Sequence, residues 1–564
     1  MDVFFNLILA ILEEGFIYGI MAVGVYITYR VLDFPDLSVD GTFPMGACLT
    51  AVLISHGMNP WLACLCAFFA GTIAGGVTGL LHVKLHITDL LSGILVMTAL
   101  WSVNLATIMG GKATVTIFNS NTIFNSGIAM LLPNAAAQFR VVILAAAVCL
   151  FIKYLTDAYL RTRSGLLLRA AGDNAQYVIS LGKDPGSMKI LGLMIGNGCT
   201  ALSGSILAQQ AGSANVASGT GMVVMALASV IIGTTVFRKV KFMRATSAVV
   251  CGAILYKACL AGAMQMGLDT NYLKLLMAVI FTIALVGNQF TLGRRKNSMS
   301  IQQESKPLVR MEQIAKAFHP DEVNEVALFE NFNLTIREGS FVSVVGSNGS
   351  GKTTILNLLC GSIPVDSGKI FVRDREITKL SEYAHSRFIG RVFQDPAKGT
   401  CPQLTILENM ALADQKGKPY GLAHGVNRKR IDAYRSQLEL LKLGLEDKLE
   451  VTVGSLSGGQ RQALALLIAT MTPIDLLILD EHTAALDPRS SETVMELTER
   501  VVKEKHLTAL MVTHNLRFAV RYGDRLLMMH RGKIVLDHEG EKKNSLEVRD
   551  LTDRFNEISI EDGN

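Results

Sequence analysis

The sequence predicts a polytopic all-α membrane domain of eight or nine segments followed by an α/β phosphate-loop domain, and three observations carry that prediction. Charge is partitioned, with 27 Asp, Glu, Lys and Arg side chains in residues 1–290 and 74 in the remaining 274. The charge-poor part is a succession of apolar runs, and about 20 apolar residues suffice to span a bilayer core. The charge-rich part contains Gly346-Ser347-Asn348-Gly349-Ser350-Gly351-Lys352-Thr353, a glycine-rich loop with the spacing that cradles phosphate. The 564-residue chain is therefore divided into a membrane domain at 1–292, a polar linker at 293–307 and a water-soluble domain at 308–564.

Composition narrows the function classes. The formal net charge of +5 is small for this length and its basic residues are dispersed, which argues against nucleic acid as a partner. Seven of the nine cysteines, Cys48, Cys64, Cys66, Cys149, Cys199, Cys251 and Cys259, fall inside apolar runs, and no C-x-x-C spacing occurs. They read as small buried hydrophobes, not as a disulfide framework or metal site. The first basic residue is Arg30, so the early apolar run lacks the charged head of a signal peptide and is expected to remain as a span.

Candidate segments lie at about 15–31, 42–56, 61–81, 88–110, 139–156, 188–210, 222–237, 245–265 and 272–292. The second is short and follows the polar stretch Asp33 to Gly41, so it reads as a broken or re-entrant helix, a form tolerated where it is buried in protein or lines a cavity. Three basic stretches set the orientation: Arg161, Arg163, Arg169, Lys183 and Lys189; Arg238, Lys239, Lys241 and Arg244; and Arg294-Arg295-Lys296. Two spans separate each pair of stretches, which puts all three on the cytoplasmic side. Small residues at 71–76 and 192–204 predict close helix packing. Lys257 lies mid-span and is either part of a pathway or one half of an inward-facing ion pair.

In the soluble half, the strand at 340–345 runs into the glycine-rich loop and a helix begins at Thr353. In that context backbone N–H groups hold phosphate, Lys352 reaches the β and γ phosphates, and the Thr353 hydroxyl meets Mg²⁺. The run Leu476-Leu477-Ile478-Leu479-Asp480-Glu481 is a buried strand ending in two carboxylates, Asp480 fitting the Mg²⁺ shell and Glu481 fitting a group that activates water. Between them stands Leu456-Ser457-Gly458-Gly459-Gln460 before a helical stretch, a second place where a helix N-terminus meets anionic phosphate.

Together these motifs resemble the nucleotide-binding domain of ATP-binding cassette proteins over residues 308 to about 540. The resemblance implies ATP and Mg²⁺ as ligands and a pair of cassettes in which the Ser457, Gly458, Gly459 and Gln460 signature of one subunit completes the site of the other. It places Gly346 to Thr354 (Thr354 included) on the nucleotide, Thr353, Gln394 and Asp480 on the metal, and Glu481, Gln394 and His514 in catalysis. Asp487 then matches the loop that crosses the dimer, and Phe318 is the candidate for stacking on adenine, with an ordinary core phenylalanine as the alternative. His482 stands where many cassettes have Pro and Ala484 where Ser is usual, and neither departure removes a ligand.

The membrane half resembles permeases of the branched-chain amino acid and ribose importer superfamily in the segment from Arg161 through Leu181-Gly182-Lys183 to Leu207 and in Glu14 to Gly24. Asp33 to Gly46 is similar to a subgroup associated with tryptophan or tyrosine uptake. The resemblance implies a short coupling helix within residues 164–184, a homodimer in a prokaryotic cytoplasmic membrane, and a separate extracytoplasmic substrate-binding protein. The expected function is ATP-driven import of a small solute, an amino acid by the subgroup. Sugar or nucleoside import remains an alternative. So does export, which the order of permease before cassette favours, whereas the number of segments favours import.

Overall fold

The computed structural model describes residues 2–131, 138–237, 240, 243–265, 307–318 and 326–561. Two compact units emerge, one of residues 1–173 and 185–291, the other of residues 174–184 and 292–564. The apolar stretch at 272–292, the linker to residue 306 and the basic residues Arg238, Lys239, Lys241 and Arg294 to Lys296 lie outside the described residues.

The first unit is mainly helical. Its helices are α1 (Asp2–Val25), α2 (Val39–Ser55), α3 (Pro60–Lys84), α4 (Asp89–Ser102), α5 (Arg140–Leu160), α6 (Arg163–Asp173), α8 (Pro185–Ala211), α9 (Met222–Val236) and α10 (Ala245–Gln265), while α7 (Ala175–Ser180) belongs to the second unit. Among the described residues seven helices are long and apolar enough to cross a membrane, and α2 is a shorter apolar helix of 17 residues. Eight of the nine apolar stretches thus become helices. Both α1 and α4 end in π-helical turns, Tyr26–Val31 and Val103–Ile108.

The break before α2 has a visible cause. The side chain of Asn197, fully buried in the middle of α8, donates to Asp36 Oδ2 at 2.6 Å, and the Thr42 hydroxyl lies 2.8 Å from Asn197 Oδ1. Asn197 is twelve residues into α8, about 18 Å along it at 1.5 Å per residue. The polar segment is therefore pinned at mid-bundle, and α2 starts there instead of at a bundle end. Buried polar groups of this kind are tolerable because they satisfy one another.

Glycines set how closely α2, α3 and α8 approach. A Cβ added at Gly46 would stand 1.9 Å from Ala201 O, and one at Gly75 would stand 2.2 Å from Leu193 O. Backbone lies directly against backbone, the arrangement small residues permit where no water drives helices together. Lys257 pairs with Glu14 and lies 4.2 Å over the ring of Tyr18, so the mid-span cation has both a counter-ion and an aromatic face.

The second unit is α/β. Besides the two-stranded antiparallel ribbon of the first unit, β1 (Thr114–Thr116) with β2 (Ser213–Asn215), strands β3 (Pro307–Phe318), β4 (Val326–Arg337), β6 (Ser367–Val372) and β7 (Arg375–Glu376) of the second unit form an antiparallel sheet in the order β4-β3-β6-β7. A six-stranded sheet runs β12-β11-β5-β10-β9-β8, from β5 (Phe341–Gly346), β8 (Ile389–Val392), β9 (Leu476–Asp480), β10 (Thr508–Val512), β11 (Arg525–His530) and β12 (Lys533–Glu539), parallel except for β12. The continuous apolar runs of β5, β9 and β10 fit strands covered on both faces. Helices α11 (Lys352–Cys360), α12 (Ile406–Ala413), α13 (Ile431–Glu439), α14 (Gly458–Ala469), α15 (Pro488–Glu504), α16 (Leu516–Arg521) and α17 (Val548–Glu561) complete the unit. Leu356, Leu476, Ile478 and Leu510 join α11 to the sheet in one core.

Candidate functional site

Because β5, β10 and β9 are neighbours and parallel, their carboxyl ends deliver three segments side by side: the glycine-rich loop, Thr513-His514 and Asp480-Glu481. Open α/β sheets bind ligands at such ends.

The loop geometry needs its glycines. Gly349 and Gly351 have φ of 76° and 99°, and a Cβ at Gly351 would meet the ring of Phe329 at 2.8 Å. Gly351 is also the N-cap of α11 and has no side chain with which to cap it, so the first N–H groups of that helix remain for an external acceptor. Ser350 Oγ is buried and has no hydrogen-bond partner among the described residues. Lys352 Nζ donates to Gly346 O at 2.7 Å and Ser347 O at 2.8 Å, lying across the loop it belongs to. Burial pushes its ammonium below the usual lysine range, opposed by the charge of Glu481. Free donors, an unpartnered hydroxyl and a lysine over the loop fit a triphosphate; Thr353 follows Lys352 with an exposed side chain and Thr354 is half-buried.

At the end of β9, Glu481 adopts a left-handed conformation with φ of 44°, and its Oε1 lies 2.9 Å from His514 Nε2. A non-glycine residue held there is strained, which is common where a side chain must be aimed. Asp480 is engaged by a residue that sequence reasoning missed: Arg391 Nη2 donates to Asp480 Oδ2 at 2.7 Å and to Asn357 Oδ1 of α11 at 2.9 Å. The signal available was a single cation inside the short apolar strand β8, two residues before Phe393. Gln394 is exposed just beyond β8, whose Val392 is in register with Leu479 of β9, so it leaves the sheet at the same end as Asp480 and Glu481.

Other motif residues take local roles. Ser457 caps α14, with Gln460 N donating to Ser457 Oγ at 3.3 Å and Ser457 N donating to Gln460 Oε1 at 3.2 Å, a reciprocal box that fixes Gly458 and Gly459 at the helix start. Asp487 caps α15 through Ser490 N at 3.2 Å. His482 is buried, its Nε2 lies 3.1 Å from the Thr498 hydroxyl, and that hydroxyl donates to Val494 O. The hydroxyl's proton being used, Nε2 carries the donor hydrogen. Burial pushes the His482 pKa down to about 3. Phe318, at the end of β3, is 36% exposed, which removes the core alternative for it.

Residues 174–184 sit within this unit. Asn174 caps α7 and its amide donates to Ala397 O at 2.7 Å and Thr400 O at 2.6 Å, in the loop that follows Gln394. Tyr177, fully buried, donates its hydroxyl to Asn409 O of α12 at 2.8 Å. The helix expected within 164–184 is thus two helices, α6 and α7, of which only α7 belongs to this unit.

Comparison with known proteins meets both units. A family model described as ABC transporter matches residues 329–484, and one described as branched-chain amino acid transport system / permease component matches residues 7–285. The chain is 43% identical over 248 residues to the tyrosine transport ATP-binding protein of Clostridioides difficile (strain R20291), covering 44% of this chain and 98% of that protein. It is 40% identical over 294 residues to the tyrosine transport system permease protein of the same organism, covering 52% of this chain and 95% of that protein. A solved dimeric ATP-binding cassette in a post-hydrolysis state, bound to ADP and Pi, shares 26% identity and a TM-score of 0.36 over 41% of this chain and 98% of that one. The chain belongs to the ATP-binding cassette transporters: a multi-pass permease of the branched-chain amino acid transport type fused to a cassette whose ATP hydrolysis is coupled to transport.

Proposed function

We propose that this chain is one half of a homodimeric importer that takes up an aromatic amino acid across a prokaryotic cytoplasmic membrane, fed by a separate substrate-binding protein. The observation that carries this reading is that the two halves, matched independently, each resemble a tyrosine transport component at 40% identity or more. The proposed division is a permease at 1–292, a linker at 293–307 and the ATPase at 308–564.

In this reading the loop from Gly346 to Gly351, with Thr354 and the exposed Phe318, holds ATP. Ser457 to Gln460 and Asp487 act across the dimer. Thr353, Gln394 and Asp480 would hold Mg²⁺, which when bound neutralises charge on the phosphate oxygens. Glu481 takes the proton of the attacking water, and His514, 2.9 Å away, orients that carboxylate. The docking of α7 beside the loop after Gln394 supports a coupling role for α7, since a movement of Gln394 would be felt at Asn174.

The test is uptake of labelled amino acids, sugars and nucleosides by cells expressing the chain with candidate binding proteins, against a Glu481→Gln control. Accumulation of tyrosine or tryptophan that depends on Glu481 is the expected result. Accumulation of a sugar instead, or Glu481-dependent efflux, would overturn the reading.

A further inference from the structure

The membrane unit contains a cavity of about 430 Å³, within the range of roughly 300–1,000 Å³ occupied by small-molecule sites. It lies where α2 begins at mid-bundle, against the π-helical turn that ends α4 and the residues that precede α9. A helix interrupted inside a membrane bundle marks binding sites in many transporters, and π turns recur at functional positions.

The polar groups of its wall are mostly acceptors. Asn104, in the π turn, is fully buried; its amide donates to Gly41 O at 3.1 Å, while its Oδ1 has no hydrogen-bond partner among the described residues. Asp40 accepts from Gly221 N at 3.0 Å and Val223 N at 2.7 Å, and a carboxylate has about four acceptor positions, so two remain. The hydroxyls of Thr98 and Thr220 already donate to Ile94 O and Ala217 O, leaving only lone pairs. Met97 and the Trp101 ring supply apolar wall, the Trp101 indole N–H is a neutral donor, and among the described residues lining the cavity there is no Lys or Arg. Such a wall complements a ligand that brings the hydrogens. A buried acceptor left unmatched is costly, which favours a strong donor there.

We propose that this cavity binds the protonated amine end of an aromatic solute, with Asn104 Oδ1 and Asp40 as the acceptors. The inference deepens the amino acid reading and rests on it for the solute's identity, but the amine chemistry can be tested separately.

The chain has two tryptophans, so a Trp61→Phe background leaves Trp101 as the sole indole reporter. The full-length dimer in lipid nanodiscs is titrated with 2-phenylethylamine and with 3-phenylpropionate, a similarly shaped anion, while indole emission is followed. Saturable change with the amine only is expected, weakened about 10-fold or more by Asn104→Leu, the loss of one hydrogen bond to a charged group. Asn104→Asp loses the bond to Gly41 as Leu does but keeps an acceptor, so it must bind the amine at least as well as the parent. Equal binding by the Leu variant, equal binding of the anion, or no saturable change overturns the proposal. Tyrosine uptake without amine binding would sink this site and leave the importer reading standing; amine binding that depends on Asn104 without uptake of any amino acid would do the reverse.

Discussion

His482 is expected to weaken the cassette in acid, and the size of its own contribution follows from its environment. The imidazole is buried neutral against Thr498, with its pKa lowered from 6.5 to about 3. The unfolded chain therefore binds a proton below pH 6.5 that the folded chain refuses. For a depressed histidine, stability is full above the unfolded pKa and is lost as pH falls from about 6.5 toward 3. At 1.36 kcal/mol per pH unit the loss at pH 5 is about 2 kcal/mol, roughly a 30-fold change in the folded-to-unfolded ratio. Glu499 and Asp524, both pushed up to about 7 by burial, act oppositely: folded, they hold protons that the unfolded chain releases, so their contribution falls as pH rises through that window. The net wild-type profile is therefore a balance, and the informative quantity is the difference from His482→Gln, which keeps a donor for Thr498 but does not titrate. The full chain is incubated at pH 5 and pH 7, returned to pH 7 and assayed for ATPase, because a two-unit membrane protein yields no single unfolding free energy. The wild type should lose activity at pH 5 markedly faster, relative to pH 7, than His482→Gln. Profiles agreeing within about threefold would refute the assignment of a buried neutral histidine, given the 30-fold expectation.

Other outcomes follow from single contacts. Arg391→Met leaves Asp480 largely buried without its partner and should destabilise the cassette by about 3 kcal/mol, seen as faster thermal inactivation; Arg391→Met combined with Asp480→Asn should recover much of the loss. Asn174→Ala removes the cap of α7 and its bonds to the loop after Gln394, so ATPase activity should persist while its stimulation by solute, supplied with the proposed binding protein, falls, measured in proteoliposomes. Gly75→Val forces a side chain into Leu193 O, where a Cβ alone would lie at 2.2 Å, and should prevent the bundle from assembling, read as loss of monodisperse protein in detergent. Glu481→Gln should lower ATP turnover by at least 10²-fold with nucleotide binding retained, measured by nucleotide-binding and ATPase assays.

Much of the cassette could be read in the sequence because its chemistry is contiguous: a loop that must follow a strand and open a helix, and two carboxylates at the end of an apolar run, are local facts of chain order. The membrane helices were readable for a similar reason, since lipid demands long apolar runs with their hydrogen bonds satisfied internally. What spacing could not supply were partners brought together by sheet order and helix packing. Strand β8 lies beside β9, so Arg391 reaches Asp480, 89 residues away. Glu481 meets His514 because β9 neighbours β10. Asp40 caps the start of α9 across 183 residues, and Asn104 shares its cavity from a turn whose π geometry no periodicity announces. Which segments are apolar enough to cross a membrane and which carry the glycine-rich loop was legible in the sequence, because solvent and backbone impose those patterns residue by residue. Which buried polar groups satisfy one another, and which keep an acceptor in reserve, emerged only on folding, because burial makes each such group depend on whatever distant atom packing sets beside it.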